Sequence, residues 1–254
     1  MERPEFEGRK IIVFGASSGI GRACAIQLGA RGAKVILVGR NQERLKEAAS
    51  HIPEGLSTIM PCDVSDFDAA QAVVKDAVKL DDVKLDGCVF STGIAMVYPI
   101  IAIQEKVLME AFRTNLFSLF AILKAFSSRR ISKDGASFVG LSSGAALFPE
   151  KGQGIYASTK AAVNAFLFVA AKELASRKIR VNAVCPEMVD TPMGEGLHRL
   201  PPERLQERYP LGVLTPENIA DTVLFLLSDA SEKITGQAIQ ITAGSVGGND
   251  NFVF

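Results

Sequence analysis

Residues 10–21 read Lys10-Ile11-Ile12-Val13-Phe14-Gly15-Ala16-Ser17-Ser18-Gly19-Ile20-Gly21. The apolar run over 10–14 predicts a buried strand, and the pattern over 19–30 predicts a helix. Between them the glycines permit a tight turn whose backbone can lie close to a phosphate. The helix that follows aims its free amides and the positive end of its dipole at that point, where negative charge is favoured. The spacing is G-x-x-x-G-x-G rather than the commoner G-x-G-x-x-G. A tight strand-to-helix turn without a ligand gives the same pattern, but its place after the first strand and before the first helix favours a nucleotide site.

Outward from this turn, strand and helix patterns alternate along the chain. Strands are expected over 34–38, 57–60, 85–90, 136–141, 179–184 and 238–241. Helices are expected over 42–50, 66–80, 105–129 (as one or two), 156–176 and 216–228. This alternation predicts an α/β fold: a doubly wound, Rossmann-type parallel sheet with helices on both faces. No linker or composition break divides the 254 residues, so one domain is expected. The least regular stretch, 190–214, carries Pro192, Pro201, Pro202 and Pro210. It follows a strand's C-terminal end, where ligands bind in this architecture, and reads as a substrate lid; a plain surface excursion is the alternative.

Formal net charge is zero, which points to neither nucleic acid nor an anionic membrane. The N-terminus lacks a signal-like apolar stretch and no apolar run reaches membrane-spanning length, so a cytoplasmic protein is expected. Cys24, Cys62, Cys88 and Cys185 are scattered through apolar runs and read as reduced core thiols. His51 and His198 are the only histidines, and no metal site is expected.

The second strand ends Leu37-Val38-Gly39-Arg40-Asn41. A carboxylate there would hold a ribose 2′-hydroxyl, whereas a cation suits a 2′-phosphate. Arg40, with Ser17 and Asn41 as further donors, favours NADP(H) over NAD(H). Asp63, followed by Val64, follows the third strand and could accept from the adenine amino group; a helix cap is the alternative. Gly93 follows the fourth strand and lets the backbone come close to the cofactor. Further on, Ile155-Tyr156-Ala157-Ser158-Thr159-Lys160 sets a phenol and an ammonium on one helix face. A cation about 4 Å from a phenol lowers its pKa by about three units at an effective dielectric of ~20, which makes Tyr156 a general acid or base. Asn115 and Ser143 lie upstream.

The glycine spacing, Asn115, Ser143, Tyr156 and Lys160, in this order and with this separation, resemble the classical short-chain dehydrogenase/reductases. Residues 180–186, Val189-Asp190-Thr191-Pro192, 216–221 and 234–237 resemble that family's later segments, so the likeness covers nearly the whole chain. The resemblance implies hydride transfer between a nicotinamide cofactor and a carbonyl or alcohol. It implies that Ser143 polarises the carbonyl, that Lys160 also holds the nicotinamide ribose and that Asn115 anchors a water in a proton relay. It further implies that Pro186, Val189 and Thr191 grip the carboxamide end. The closing segments resemble the 3-oxoacyl-carrier-protein reductase branch. An acyl carrier protein is then a candidate partner, with Arg129, Arg130 and Arg177 as its basic patch; solvated helix-end charges are the competing reading. Sugar, steroid or other small secondary alcohol dehydrogenases are the alternative activity. A non-catalytic NADP(H) sensor is a further one, against which the complete Asn-Ser-Tyr-Lys set argues.

The resemblance also implies a homotetramer, with helices 105–129 and 156–176 at its interface. Tyr98, Met96, Phe148 and residues 193–197 are expected on the substrate side. The chain departs from the family pattern at Phe14, at Phe90-Ser91-Thr92 and at Glu187, which stands where a glycine is usual. A positive φ at Glu187 would cost roughly 1–2 kcal/mol.

Overall fold

A computed structural model describes residues 5–194 and 201–245. Seven strands form one sheet: β1 (Lys10–Phe14), β2 (Lys34–Gly39), β3 (Ser57–Pro61), β4 (Leu85–Phe90), β5 (Ser132–Leu141), β6 (Arg180–Pro186) and β7 (Ala238–Ile241). All neighbours are parallel, in the order β3-β2-β1-β4-β5-β6-β7. The chain winds outward from β1 in one direction and from β4 in the other. The crevice between the C-terminal ends of these two strands is therefore the topological switch point.

The helices are α1 (Gly19–Ala30), α2 (Gln42–Ser50), α3 (Phe67–Lys79), α4 (Glu105–Phe112), α5 (Ser118–Phe126), α6 (Gly154–Leu174), α7 (Pro202–Arg208) and α8 (Pro216–Leu227). Alternation along the strands divides the core into two layers. Ile12, Phe14, Cys88, Phe90 and Phe138 face α3, α5 and α6. Ile11, Val13, Val89 and Val139 face α1, α2 and α8. Both faces of the sheet are thus covered, which is why β1 is buried at every residue. Each phenylalanine of the first layer contributes roughly 1.5–3 kcal/mol by leaving water. Phe138 also meets Phe126 edge-on at a centroid distance of 5.5 Å.

Local chemistry sets the helix ends. Asp66 accepts from the Asp68 and Ala69 amides and so starts α3. Thr215 and Asn218 form a reciprocal capping box at α8, with Pro216 in its first turn. Helix α6 starts at Gly154, two residues earlier than its sequence pattern suggests, and this puts Tyr156 in the first turn. With the turn after it, α6 is long and apolar enough to cross a membrane, at a mean hydropathy of 1.2 over Gly154–Arg177. It instead lies on the sheet, with Val163, Leu167 and Ala170 in the first core layer. The 105–129 pattern is interrupted by a π turn at Arg113–Phe117, where the Ser118 amide donates to the Arg113 carbonyl. Of the stretch 190–214, residues 195–200 lie outside the described residues, and 201–214 are more regular than their prolines suggest: Pro202 opens α7, where a missing N–H costs nothing.

Neither the basic patch nor the solvated helix-end charge read from the sequence describes Arg177. Its side chain is buried, and its nitrogens donate to Asp134, the Ser127 carbonyl and the Ser132 carbonyl. Arg129 pairs with the same Asp134 at 3.2 Å. Solvated helix-end charge describes Arg129 and Arg130, both exposed, and not Arg177.

Candidate active site

A cavity of about 540 Å³ opens at the switch point, at the C-terminal ends of β1 and β4. Its walls come from the turn after β1, the ends of β2 and β3, the loops after β4, β5 and β6, the first two turns of α6 and the end of α7. Gly15, Ser17, Ser18, Gly19 and Ile20 line it, as the opening motif requires. Gly15 has φ +77°, and a Cβ there would come within 2.8 Å of the Ser91 carbonyl. Gly21 lies behind the wall, where a Cβ would collide with the Gly15 carbonyl, so it sets the turn rather than the cavity surface. Ser18 caps α1 without a side-chain hydrogen bond, and no acidic residue occupies the first turn. The positive helix end is therefore left for an outside anion. A dinucleotide pyrophosphate fits this cradle.

At the far end, the Ser17 hydroxyl packs against Gly39, and Gly39, Arg40, Asp63 and Val64 line the wall. Burial pushes the Asp63 carboxyl up, but its hydrogen bonds from Ser65 and the nearby Arg40 charge win and hold it below the usual carboxylate value. Asn41 is not on the wall: its side-chain oxygen accepts from the Arg44 amide and caps α2. The cap uses the oxygen of Asn41, and its side-chain N–H groups remain as donors.

The four residues of the expected catalytic set converge, with one exception of role. Tyr156 and Ser143 both line the cavity, and the Ser143 hydroxyl acts on the Tyr156 phenol. Ser143 also accepts from the Ala145 amide at 3.2 Å, which fixes its rotamer. Lys160 lines the cavity from below and donates to the Leu141 carbonyl at 2.8 Å. Its Nζ is 5.8 Å from the centre of the Tyr156 ring. Gly93 closes over it; a Cβ there would be 3.3 Å from Nζ. Asn115, fully buried in the π turn, does not reach the cavity, although Thr114 does. Its amide accepts from the Ile94 N–H and donates to the Ile94 carbonyl and to Thr159 Oγ1, at 2.8, 3.0 and 3.0 Å. The side chain thus clamps the loop after β4 to α6.

Electrostatics differ from the simple picture of a lysine lowering a phenol. Burial pushes the Tyr156 phenol above its usual value, and the Ser143 hydrogen bond offsets this only in part. Burial also lowers Lys160, to about 8, with the neighbouring Cys185 thiol acting the other way. Desolvation of the pair outweighs their mutual attraction. At neutral pH the site therefore presents a protonated phenol and the Ser143 hydroxyl above a lysine that is still mostly charged. This is a proton donor and a carbonyl-polarising donor side by side.

On the opposite side, Pro186, Val189 and Thr191 line the wall, and Thr191 packs on Gly19. Glu187 is not in the left-handed region, so the anticipated backbone strain is absent. Its carboxylate lies against the backbone of Gly144, next to Ser143. Met96, Phe148 and Met193 line the substrate end as expected, while Tyr98 does not; its neighbour Val97 takes the place. Residues 195–197 lie outside the described residues. Sequence reasoning missed Glu150, Gln153 and Arg208, which also line this end. Nothing in their spacing relates them, because α7 and the loop before α6 meet only in the folded chain.

Comparisons with known proteins agree with this geometry. The family model described as enoyl-(acyl carrier protein) reductase matches residues 15–245. The chain is 34% identical over 244 residues to the 3-oxoacyl-acyl-carrier-protein reductase FabG of Thermotoga maritima, covering 94% of this chain and 98% of that one. It is 32% identical over 241 residues to the L-xylulose reductase of Bos taurus, covering 93% and 96%. A Brucella melitensis short-chain dehydrogenase/reductase, titled glucose/ribitol dehydrogenase, superposes with a TM-score of 0.88 at 30% identity, over 97% of this chain and all of that one. The chain belongs to the short-chain dehydrogenase/reductase family and is an NAD(P)-dependent oxidoreductase.

Proposed function

We propose that this enzyme reduces a ketone to a secondary alcohol with NADPH. The observation that carries the reading is that Tyr156, Ser143 and Lys160 line one end of a cavity that begins at the glycine cradle, with Lys160 Nζ 5.8 Å from the centre of the Tyr156 ring. In the bound state the nicotinamide supplies the hydride. Ser143 donates to the carbonyl oxygen and stabilises the charge that develops there. Tyr156 transfers its phenolic proton to that oxygen, and Lys160 stabilises the tyrosinate left behind. Asn115 holds the loop and helix in register, and any water relay at this point runs past its backbone, since its side-chain amide is engaged. Arg40 and Ser17 both line the cavity beside the end of β2, and this supports NADP(H) over NAD(H).

The 3-oxoacyl thioester and sugar-ketone readings both remain within this assignment, and each has a relative named for it. Residues 190–214, with α7 at their centre, act as the substrate lid of a single domain. The Val189–Leu214 bridge pins the base of this segment. Buried free thiols fit a reducing, cytoplasmic setting.

A panel of 3-oxoacyl thioesters, ketoses and simple ketones, assayed with NADPH and NADH side by side, tests the proposal. NADPH-dependent turnover of at least one class is expected. Arg40→Asp should shift the preference toward NADH; an unchanged ratio of the two kcat/KM values would overturn the cofactor assignment.

A further inference from the structure

The substrate end of the cavity has two unlike walls. On one, the charged groups engage each other. Arg208 donates to Glu150 at 2.6 Å, the Gln153 side-chain oxygen accepts from the Glu150 amide at 3.0 Å, and the Glu187 charge also acts on Arg208. The other wall is apolar: Met96, Val97, Phe148 and Met193. It begins close to Ser143, since the Phe148 amide donates to the carbonyl of the next residue, Gly144, at 2.9 Å. It crosses to the loop after β4, where the Tyr98 amide donates to the Gly152 carbonyl at 2.8 Å and holds Val97 against Gly152. Val97 lines the cavity and is also 69% exposed; Phe148 and Met193 are likewise both wall and surface. These three side chains form the rim. Three residues on from Val97, a 3₁₀ turn at Ile100–Ala102 carries Ile100 and Ile101, which are 88% and 96% exposed. The Cα atoms of Val97 and Ile100 lie within about 11 Å of each other, the longest span that three peptide units allow. Large apolar side chains left this bare in one strip mark a contact surface, and this strip continues the wall of a cavity.

We propose that the substrate is a neutral, lipophilic ketone, one of whose substituents is an apolar chain that runs from the carbonyl along Phe148, Val97 and Met193 and out over Ile100 and Ile101, the two residues that set specificity for chain length. The inference rests on the reductase reading given above. Within that reading it selects against polyhydroxylated ketones, whose hydroxyls would leave water against this wall without gaining partners. Continuity decides the occupant: the strip under the two isoleucines begins at Val97, where a bound substrate already lies. The Glu150–Arg208 pair satisfies its own charges, so a neutral chain passes it without breaking an ion pair.

The test uses the intact enzyme and methyl ketones from 2-pentanone to 2-undecanone, with a ketopentose for comparison. The kcat/KM should rise roughly threefold for each added methylene, mainly through KM, and the ketopentose should fall below 2-undecanone. Ile100→Ser combined with Ile101→Ser should lower the ratio of kcat/KM for 2-undecanone to that for 2-pentanone by roughly tenfold. Both side chains are exposed, so the core stays intact, which melting curves check, and the ratio is insensitive to the amount of active enzyme. Sedimentation velocity on the same variant separates substrate contact from contact between copies of the chain. The inference is overturned by a flat chain-length series, by an unchanged ratio in the double variant, by a preference for the ketopentose, or by a lowered sedimentation coefficient with equal loss on both ketones. Turnover of none of these compounds with either nicotinamide cofactor would sink the reductase reading itself, whereas turnover without chain-length dependence overturns this inference alone.

Discussion

Burial holds the Tyr156 phenol protonated at neutral pH, which suits donation to a carbonyl and disfavours the reverse reaction until the pH climbs. Lys160 sets the upper limit of that range. Its charge is retained below about pH 8 and lost above it, so ketone reduction should decline as pH rises through 8. The stability effect has its own sign. Between pH 8 and the ordinary lysine value of 10.5, the unfolded chain binds a proton that the folded chain does not. Stability from this group therefore rises with pH over that window. Urea midpoints at pH 8 and pH 10 should show a gain in the wild type relative to Lys160→Met; equal changes in the two proteins would contradict the lysine assignment. The order Asn-Ser-Tyr-Lys was legible in the sequence because each member has a fixed place along alternating strands and helices. Its electrostatics were not legible, since desolvation depends on what covers the pair. Asn115 shows the same limit: the family resemblance implied a site role, but only the fold shows that its amide binds Ile94 and Thr159.

At the scale of elements, the turn after β1 and the π turn between α4 and α5 are the two places where local geometry sets the site. Gly21→Ala would drive a methyl into the Gly15 carbonyl, and overpacking of this kind costs typically 1–3 kcal/mol. The expected outcome is a lower melting temperature together with loss of cofactor affinity by titration; wild-type affinity would contradict the cradle. Asn115→Ala would orphan the Ile94 N–H and C=O, at about 1–3 kcal/mol for each group that finds no water. Thr159→Val, which leaves both Ile94 bonds in place, should cost less in chemical denaturation. The strands were readable because their apolar runs are short and bounded by glycine or charge. The π turn was not, because Arg113–Phe117 continues the helical apolar pattern without a break. Helix α7 was hidden by the prolines at 201 and 202, which read as irregular chain yet serve as its start.

At the scale of the molecule, both sheet faces are covered, but the outer faces of α5 and α6 are not. Phe117, Phe120, Phe168 and Val169 are exposed there, and Phe120 stacks on Phe166 with ring centres 3.9 Å apart. Exposed apolar area of this kind marks an association surface. Self-association through these helices is the expectation, and sedimentation velocity should show a homotetramer. Phe120→Asp with Phe168→Asp should break it into smaller species, while an unchanged sedimentation coefficient would count against this face. The doubly wound parallel sheet followed from the β-α alternation and right-handed crossovers, whereas the lining of the substrate end did not, because it joins segments more than fifty residues apart, such as Glu150 and Arg208.

The central claim, that Tyr156 donates the proton in an NADPH-dependent ketone reduction, is tested most directly by steady-state oxidation of NADPH by Tyr156→Phe, with cofactor affinity measured on the same protein. Loss of the donor should lower kcat by about 10²–10⁴-fold while the Kd for NADPH stays within a few-fold of the wild-type value. Unchanged turnover in the phenylalanine variant would contradict the account.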